Sequence, residues 1–296
     1  MTYDVKRFLD DTRVRVDAAI DALLPAANEE PRSIHEALRY AVFSGGKRVR
    51  PALLLLAADA VRGRMETHVD AAAGFEMIHT ASLILDDLPS QDNAPVRRGR
   101  AACHIEFGES TAVLASTALL SLGIGAVALN AVREKAPSRA PARIVRLVAD
   151  AIGTRGMIGG QIADLALAPS GATMEALEYI HSHKTGALFI ACAQAGALLA
   201  GGAEAEVAAL GDYAKNVGLA YQIADDILDH EGTLESLGKP AGQDSEKATF
   251  VGVFGLEVSK RLTRELYETA EGALDILGPR KEKLVALTRW LEARTK

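Results

Sequence analysis

The sequence predicts an all-α protein, one large helical bundle with residues 1–296 as a single domain. Three observations carry that reading. Apolar residues recur at three- and four-residue spacing along most of the chain. Alternating apolar and polar runs bounded by turn residues are not found. Many of the helical stretches are alanine-rich and apolar on more than one side, as helices inside a large bundle are. With 296 residues, 49% of them hydrophobic, the chain can fill a large core.

The first well-marked helix is "PRSIHEALRYAVF", where Ser33 and Glu36 have capping-box spacing and Ile34, Ala37, Leu38, Ala41 and Val42 fall at helical spacing. Gly45 and Gly46 let the chain turn, and Pro51 suits the first turn of the next helix, "PALLLLAADAV". Further helices are predicted over 68–88, 111–133, 140–158, 173–200, 204–228, 248–277 and 280–294. Two polar loops, 89–110 and 229–247, interrupt them, and each follows an apolar helix that ends in aspartates.

Composition excludes several functions. The net charge of −6 argues against nonspecific nucleic-acid binding. Cys103 and Cys192 lie in no zinc-ligand spacing and predict no disulfide framework. The start, "MTYDVKRFLDDTRVRVD", is charged throughout, so no secretory signal is expected. No membrane span is expected either, and the expected compartment is the cytoplasm.

The chemistry lies in "LILDDLPSQDNAPVRRGR", residues 83–100, where Asp86, Asp87 and Asp92 precede Arg97 and Arg98. Carboxylates this dense repel one another unless cations sit among them. Salt bridging to the arginines is one solution, and a metal with an anionic ligand is another. A second cluster, "AYQIADDILDH", carries Asp225, Asp226 and Asp229, of which the first and last share a helix face. If the two helices lie side by side, two carboxylate rims face a cleft. Oxygen ligands without His or Cys suit Mg²⁺, which commonly shares its shell with substrate phosphates.

Cations complete the pattern. Lys47 and Arg50 lie between a glycine turn and a helix N-terminus, a setting that favours phosphate. His79 lies two helical turns before Asp86. Lys184 and Thr185 in "HKTGAL", with Lys239 and Lys247 in the second polar loop, bring the positive charge to a level that suits more than one diphosphate.

"GGKRVRP", "EMIHTASLILDDLPSQDNAPVRRGR", "GMIGGQIADL", "HKTGAL" and "GLAYQIADDILDHEG" occur in the order and spacing of the trans-isoprenyl diphosphate synthases. The chain resembles that family over nearly its whole length, most of all bacterial and plastid geranylgeranyl or farnesyl diphosphate synthases. The resemblance implies an isoprenoid-synthase bundle with a central cavity, usually a homodimer. It implies three Mg²⁺ ions on the allylic diphosphate, held by Asp86, Asp87, Asp92, Asp225, Asp226 and Asp229. Arg97, Lys184, Lys239 and Lys247 would hold that diphosphate. Lys47, Arg50, His79 and Arg98 would hold isopentenyl diphosphate, and Thr185 and Gln222 would face the developing carbocation. The implied activity is short-chain prenyl transfer from dimethylallyl, geranyl or farnesyl diphosphate to isopentenyl diphosphate.

Chain length is expected to be set along the helix ending at Asp86. Ala81 and Ser82 are small where related farnesyl synthases commonly carry an aromatic floor at the position of Ala81. Ile78 lies below them, and Phe75 stands roughly 16 Å from Asp86 at 1.5 Å per residue. This favours a twenty-carbon product, with a fifteen-carbon product as the alternative. Ser116, Thr117, Leu85, Ala94, Pro95 and Gln243 depart from the usual pattern at positions around the site. A class I terpene cyclase fits less well, because its second metal motif is not all aspartate. A noncatalytic subunit of a heteromeric synthase is the contrasting class, although such partners usually lose an aspartate motif.

Overall fold

The structure is a computed structural model, and it describes residues 3–62, 65–168, 171–231 and 248–293. It is an α-helical bundle. The elements are α1 Val5–Leu23, α2 Arg32–Val42, α3 Val49–Arg62, α4 Val69–Asp86, α5 Cys103–Phe107, α6 Glu109–Arg133, α7 Ala140–Ile152 and α8 Met157–Ala166. They continue with α9 Met174–His181, α10 Ala187–Leu199, α11 Glu204–Glu231, α12 Phe250–Phe254, α13 Leu256–Ala273 and α14 Glu282–Glu292.

At the centre stand α4 and α10, buried on nearly every side, with α3 packed between them. Helices apolar all round have no solvent face to present, so they take the middle. Where α4 crosses α6 the backbones nearly touch: a Cβ on Gly74 would lie 2.6 Å from the Gly123 carbonyl oxygen, and one on Gly123 would lie 2.6 Å from that of Gly74. A smaller apolar cluster of Leu177, Leu219, Ile223, Ile227, Phe250 and Val251 backs the C-terminal half of α11.

Several sequence expectations are corrected. The Ser33–Glu36 capping box does not form: α2 begins at Arg32 behind Pro31, with no side-chain cap. The predicted 140–158 helix divides into α7 and α8: the chain leaves the helix at Gly153, which is extended, and turns at Gly156, where a Cβ would collide with the Ala151 carbonyl. The predicted 173–200 helix contains one π-turn, Ser182–Gly186, between α9 and α10. The predicted 248–277 helix breaks at Gly255, where φ is +81°.

Within the 89–110 loop lies a short hairpin, β1 Val96–Arg97 with β2 Arg100–Ala101, paired antiparallel. Its turn residues Arg98 and Gly99 both have positive φ, 52° and 77°, as tight hairpins with the native strand twist require. The first helix, α1, was not predicted, although Val5, Leu9, Thr12, Val16 and Ile20 form a continuous buried stripe. Finally, α6 is by length and composition long and apolar enough to cross a membrane, a test that the helices of a bundle also pass. Here it packs against α2, α4, α5 and α7, the position of a bundle helix.

Candidate active site

The first aspartate motif closes α4. Asp87 turns back into the protein, 2% exposed, and both of its oxygens accept from Arg97 Nε at 3.0 Å. Salt bridging is therefore the answer for Asp87. The loop then curls over the helix end: Asp92 N donates to Asp86 O at 2.9 Å, and Asn93 N to Leu88 O at 3.0 Å. That curl sets the Asp92 charge beside Asp86. Burial, with repulsion from Asp92 added against attraction from Lys184, pushes the Asp86 carboxyl up to about 6.

The cation pocket assembles on the other side of the glycine turn. Arg50 donates to His79 Nε2 at 3.2 Å, and its guanidinium lies 4.6 Å from the centre of the Phe189 ring. A guanidinium can only donate, so His79 Nε2 accepts and the imidazole is neutral there. Burial, then Arg50, Arg98, Arg48 and Arg97, hold the His79 pKa well below its ordinary value. Arg98 donates to the Gly45 carbonyl and lies over Gly46, where a Cβ would stand 2.8 Å from the guanidinium carbon. Gly46 is thus required by a close approach as well as by its φ of 126°. Tyr40 anchors the hairpin, donating to Ala101 O at 2.9 Å with its ring 4.0 Å from the Arg100 guanidinium. Lys47 stands 6.0 Å from the Trp290 ring on α14.

The π-turn joins the two motifs. Lys184 donates to Asp164 Oδ2 at 2.7 Å, and Asp86 and Asp92 also act on its charge. Burial works against the ammonium, but those three carboxylates outweigh it and raise its pKa. Next in sequence, Thr185 Oγ1 donates to Gln222 Oε1 at 3.1 Å. Gln222 Nε2 in turn donates to Asp226 Oδ1 at 3.4 Å, and Phe250 N to Asp226 Oδ2 at 3.0 Å. In each motif, then, the second aspartate holds a protein partner, Arg97 for Asp87 and Phe250 for Asp226. Asp225 and Asp229 lie four apart on one side of α11.

Along α4, Phe75, His79 and Ser82 share the side of Asp86 by helical period. Gly74, Ile78 and Ala81 share the neighbouring stripe, about 100° round the helix, which faces α6; there Ile78 touches the Gly123 position and Ser116 Oγ donates to Ala81 O at 2.9 Å. Phe75, Ile78 and Ala81 are fully buried and Ser82 is partly exposed. Lys239, Lys247 and Gln243 lie outside the described residues. Sequence reading did not single out Asp164 or Gln161, although "GMIGGQIADL" was quoted whole. Gln161 Nε2 donates to Gln91 Oε1 at 2.6 Å, joining α8 to the first aspartate loop.

Among the described residues, no three His, Cys, Asp or Glu side chains already converge as a metal-ligand set. The chemistry of the donors nonetheless fits Mg²⁺. They are all carboxylate oxygens, and at Asp86 burial and neighbouring carboxylates leave a charge that nearby cations do not fully offset.

Polyprenyl synthetase is the family that matches this chain, over residues 31–277. Geranylgeranyl pyrophosphate synthase 11, chloroplastic, of Arabidopsis thaliana is 42% identical over 99% of this chain and 83% of its own length. The chloroplastic geranylgeranyl pyrophosphate synthase of Capsicum annuum is 40% identical over 99% and 79%. Their names place them in the chloroplast, so they give no support to the cytoplasmic compartment expected for this chain. The crystal structure of a geranyltransferase from Legionella pneumophila superposes with a TM-score of 0.86 at 33% identity, covering 98% of this chain and 96% of that one. Two aspartate-tipped helices joined through one π-turn, on a bundle shared from end to end with these synthases, leave one assignment: the chain belongs to the polyprenyl synthetase family of trans-isoprenyl diphosphate synthases.

Proposed function

We propose that the chain extends allylic diphosphates with isopentenyl diphosphate and that its principal product has twenty carbons. The observation that carries this reading is the π-turn, where consecutive residues Lys184 and Thr185 reach the first aspartate motif and, through Gln222, the second. Arg97 and Lys184 hold the allylic diphosphate, helped by Lys239 and Lys247. Lys47, Arg50, His79 and Arg98 hold isopentenyl diphosphate.

Mg²⁺, three ions with substrate bound, would be held by Asp86, Asp92, Asp225 and Asp229, with Asp87 and Asp226 behind them, and would supply Lewis-acid neutralisation of the departing diphosphate. Thr185 commits its proton to Gln222, so its hydroxyl offers lone pairs to a developing cation. The new bond joins the allylic carbon to the five-carbon partner, and a proton leaves the adduct. His79 does not take it, because its Nε2 already accepts from Arg50; the released diphosphate is the acceptor. Two copies of the chain would cover the apolar side chains that α6 and α8 expose, among them Leu114, Leu129, Val132, Ile158 and Ile162. We therefore include a homodimer in the proposal, to be tested by sedimentation.

The test of function is mass spectrometry of the products formed by purified protein with Mg²⁺, isopentenyl diphosphate and, separately, dimethylallyl, geranyl or farnesyl diphosphate. A twenty-carbon product is expected. A product that stops at fifteen overturns the chain-length reading, and the absence of elongation overturns the activity.

A further inference from the structure

Arg48 lies between Lys47 and Arg50 but is 2% exposed, with a left-handed φ of 50°. Its Nη1 donates to Glu76 Oε1 at 2.6 Å, its Nη2 to Val42 O at 2.7 Å and its Nε to Asp17 Oδ1 at 2.9 Å. The three acceptors come from α4, α2 and α1. Arg48 O accepts from Ala52 N at 3.0 Å, so this residue also starts α3. Three positions beyond Glu76 on α4, His79 takes Arg50. Two arginines at the start of α3 are therefore docked on adjacent turns of α4, and the first of them, Arg48, carries the positive φ. A non-glycine residue keeps such a φ only where its surroundings hold it there.

We infer that Glu76 and Arg48 are a positioning pair for the isopentenyl diphosphate pocket: Glu76 locks Arg48 in its left-handed turn, and that turn aims Lys47 and Arg50 into the pocket beside His79. Neither residue touches substrate. Glu76 also opposes the mutual repulsion of Arg48 and Arg98, since it favours the charged form of both. With Glu76 neutral, the buried guanidinium would lose its closest anion, and the strained turn would relax toward ordinary φ values. The inference rests on the proposed role of the pocket.

The test is Glu76→Gln, which keeps size and one acceptor oxygen, assayed with each substrate varied in turn. KM for isopentenyl diphosphate is expected to rise about tenfold, with KM for geranyl diphosphate and kcat within about twofold. Glu76→Asp should recover part of the loss. Asp17→Asn, at the half-exposed outer acceptor, should give the same selective shift at about threefold. Equal shifts in both KM values, or a lower melting temperature with both KM values unchanged, would overturn the inference. Should Glu76→Gln fail to fold, Asp17→Asn decides, and an unchanged KM overturns it. Calorimetric titration of isopentenyl diphosphate into wild type and variants reads the pocket without turnover. Loss of affinity on substitution then upholds the positioning role even if elongation fails, and equal affinity refutes it.

Discussion

Lys184 and Asp164 form an ion pair at 2.7 Å, and the same ammonium answers the charges of Asp86 and Asp92. Asp164 thus aims a cation at the first aspartate motif from α8. Asp164→Asn keeps the shape and removes the charge. KM for the allylic diphosphate is expected to rise about tenfold, the scale of one charge-assisted hydrogen bond. Steady-state kinetics with geranyl diphosphate varied will show it; an unchanged KM would mean that Lys184 is held well enough without its partner.

Gly160 lets α8 lie against the π-turn, because a Cβ there would collide with the Lys184 backbone nitrogen. Gly160→Ala should improve local helix propensity yet destabilise the protein by about 1–3 kcal/mol through overpacking. Turnover should fall further than stability, since the displaced segment carries Lys184 and Thr185. Calorimetry paired with product formation separates the two effects.

Asp86→Ala removes a carboxylate that burial and Asp92 already disfavour. Turnover is expected to drop by about a thousandfold or more, the scale of losing a principal electrostatic group at the reaction centre. The melting temperature should hold or rise, as happens when a strained functional group is removed. Chelation of wild-type enzyme with EDTA should reproduce the activity loss, and Mg²⁺ should restore it. Near-normal turnover in the variant would remove Asp86 from the metal assignment.

Ser82 and Phe75 share the Asp86 side of α4, one turn and three turns away. Ser82→Phe is expected to shorten the main product to fifteen carbons, and Phe75→Ala to add products longer than twenty. Mass spectrometry of reaction products checks both. An unchanged distribution in both variants would show that this side of α4 does not line the growing chain.

Burial, together with Lys184 and against Asp164, holds the His181 pKa down at about 4. The unfolded chain takes up that proton near the ordinary value of 6.5, so it binds more protons than the folded chain between those values. Stability is complete above pH 6.5 and falls as pH drops toward 4, by about 3 kcal/mol from this group. His181→Gln should flatten the acid limb of a melting-temperature profile relative to wild type. His79, shifted in the same direction, remains in both proteins and cancels in the difference.

The parts legible in the sequence were those with long-range regularity. Helical period gave the bundle, and the repeated pairing of an apolar helix with terminal aspartates gave the site. Local breaks were harder to see. The π-turn at Ser182–Gly186 interrupts no apolar period, so 173–200 looked continuous. Arg98–Gly99 is a weak hairpin signal beside Asn-Gly, and β1–β2 went unseen. The stripe Val5, Leu9, Thr12, Val16 and Ile20 is present in the sequence, but the charged residues between its members obscure the apolar period of α1. The partners of Asp87 and Asp226 were not legible, because Arg97 and the Phe250 amide reach them only in the folded chain.

The Gly74–Gly123 crossing constrains how this enzyme can diversify. Any side chain larger than hydrogen at either position would wedge α4 and α6 apart, so neither site can drift freely under selection. Variation that retunes product size is therefore expected on the Asp86 side of α4 rather than at the glycine crossing. Laboratory evolution for new chain lengths should accumulate its changes around Phe75 and Ser82, with both glycines left untouched.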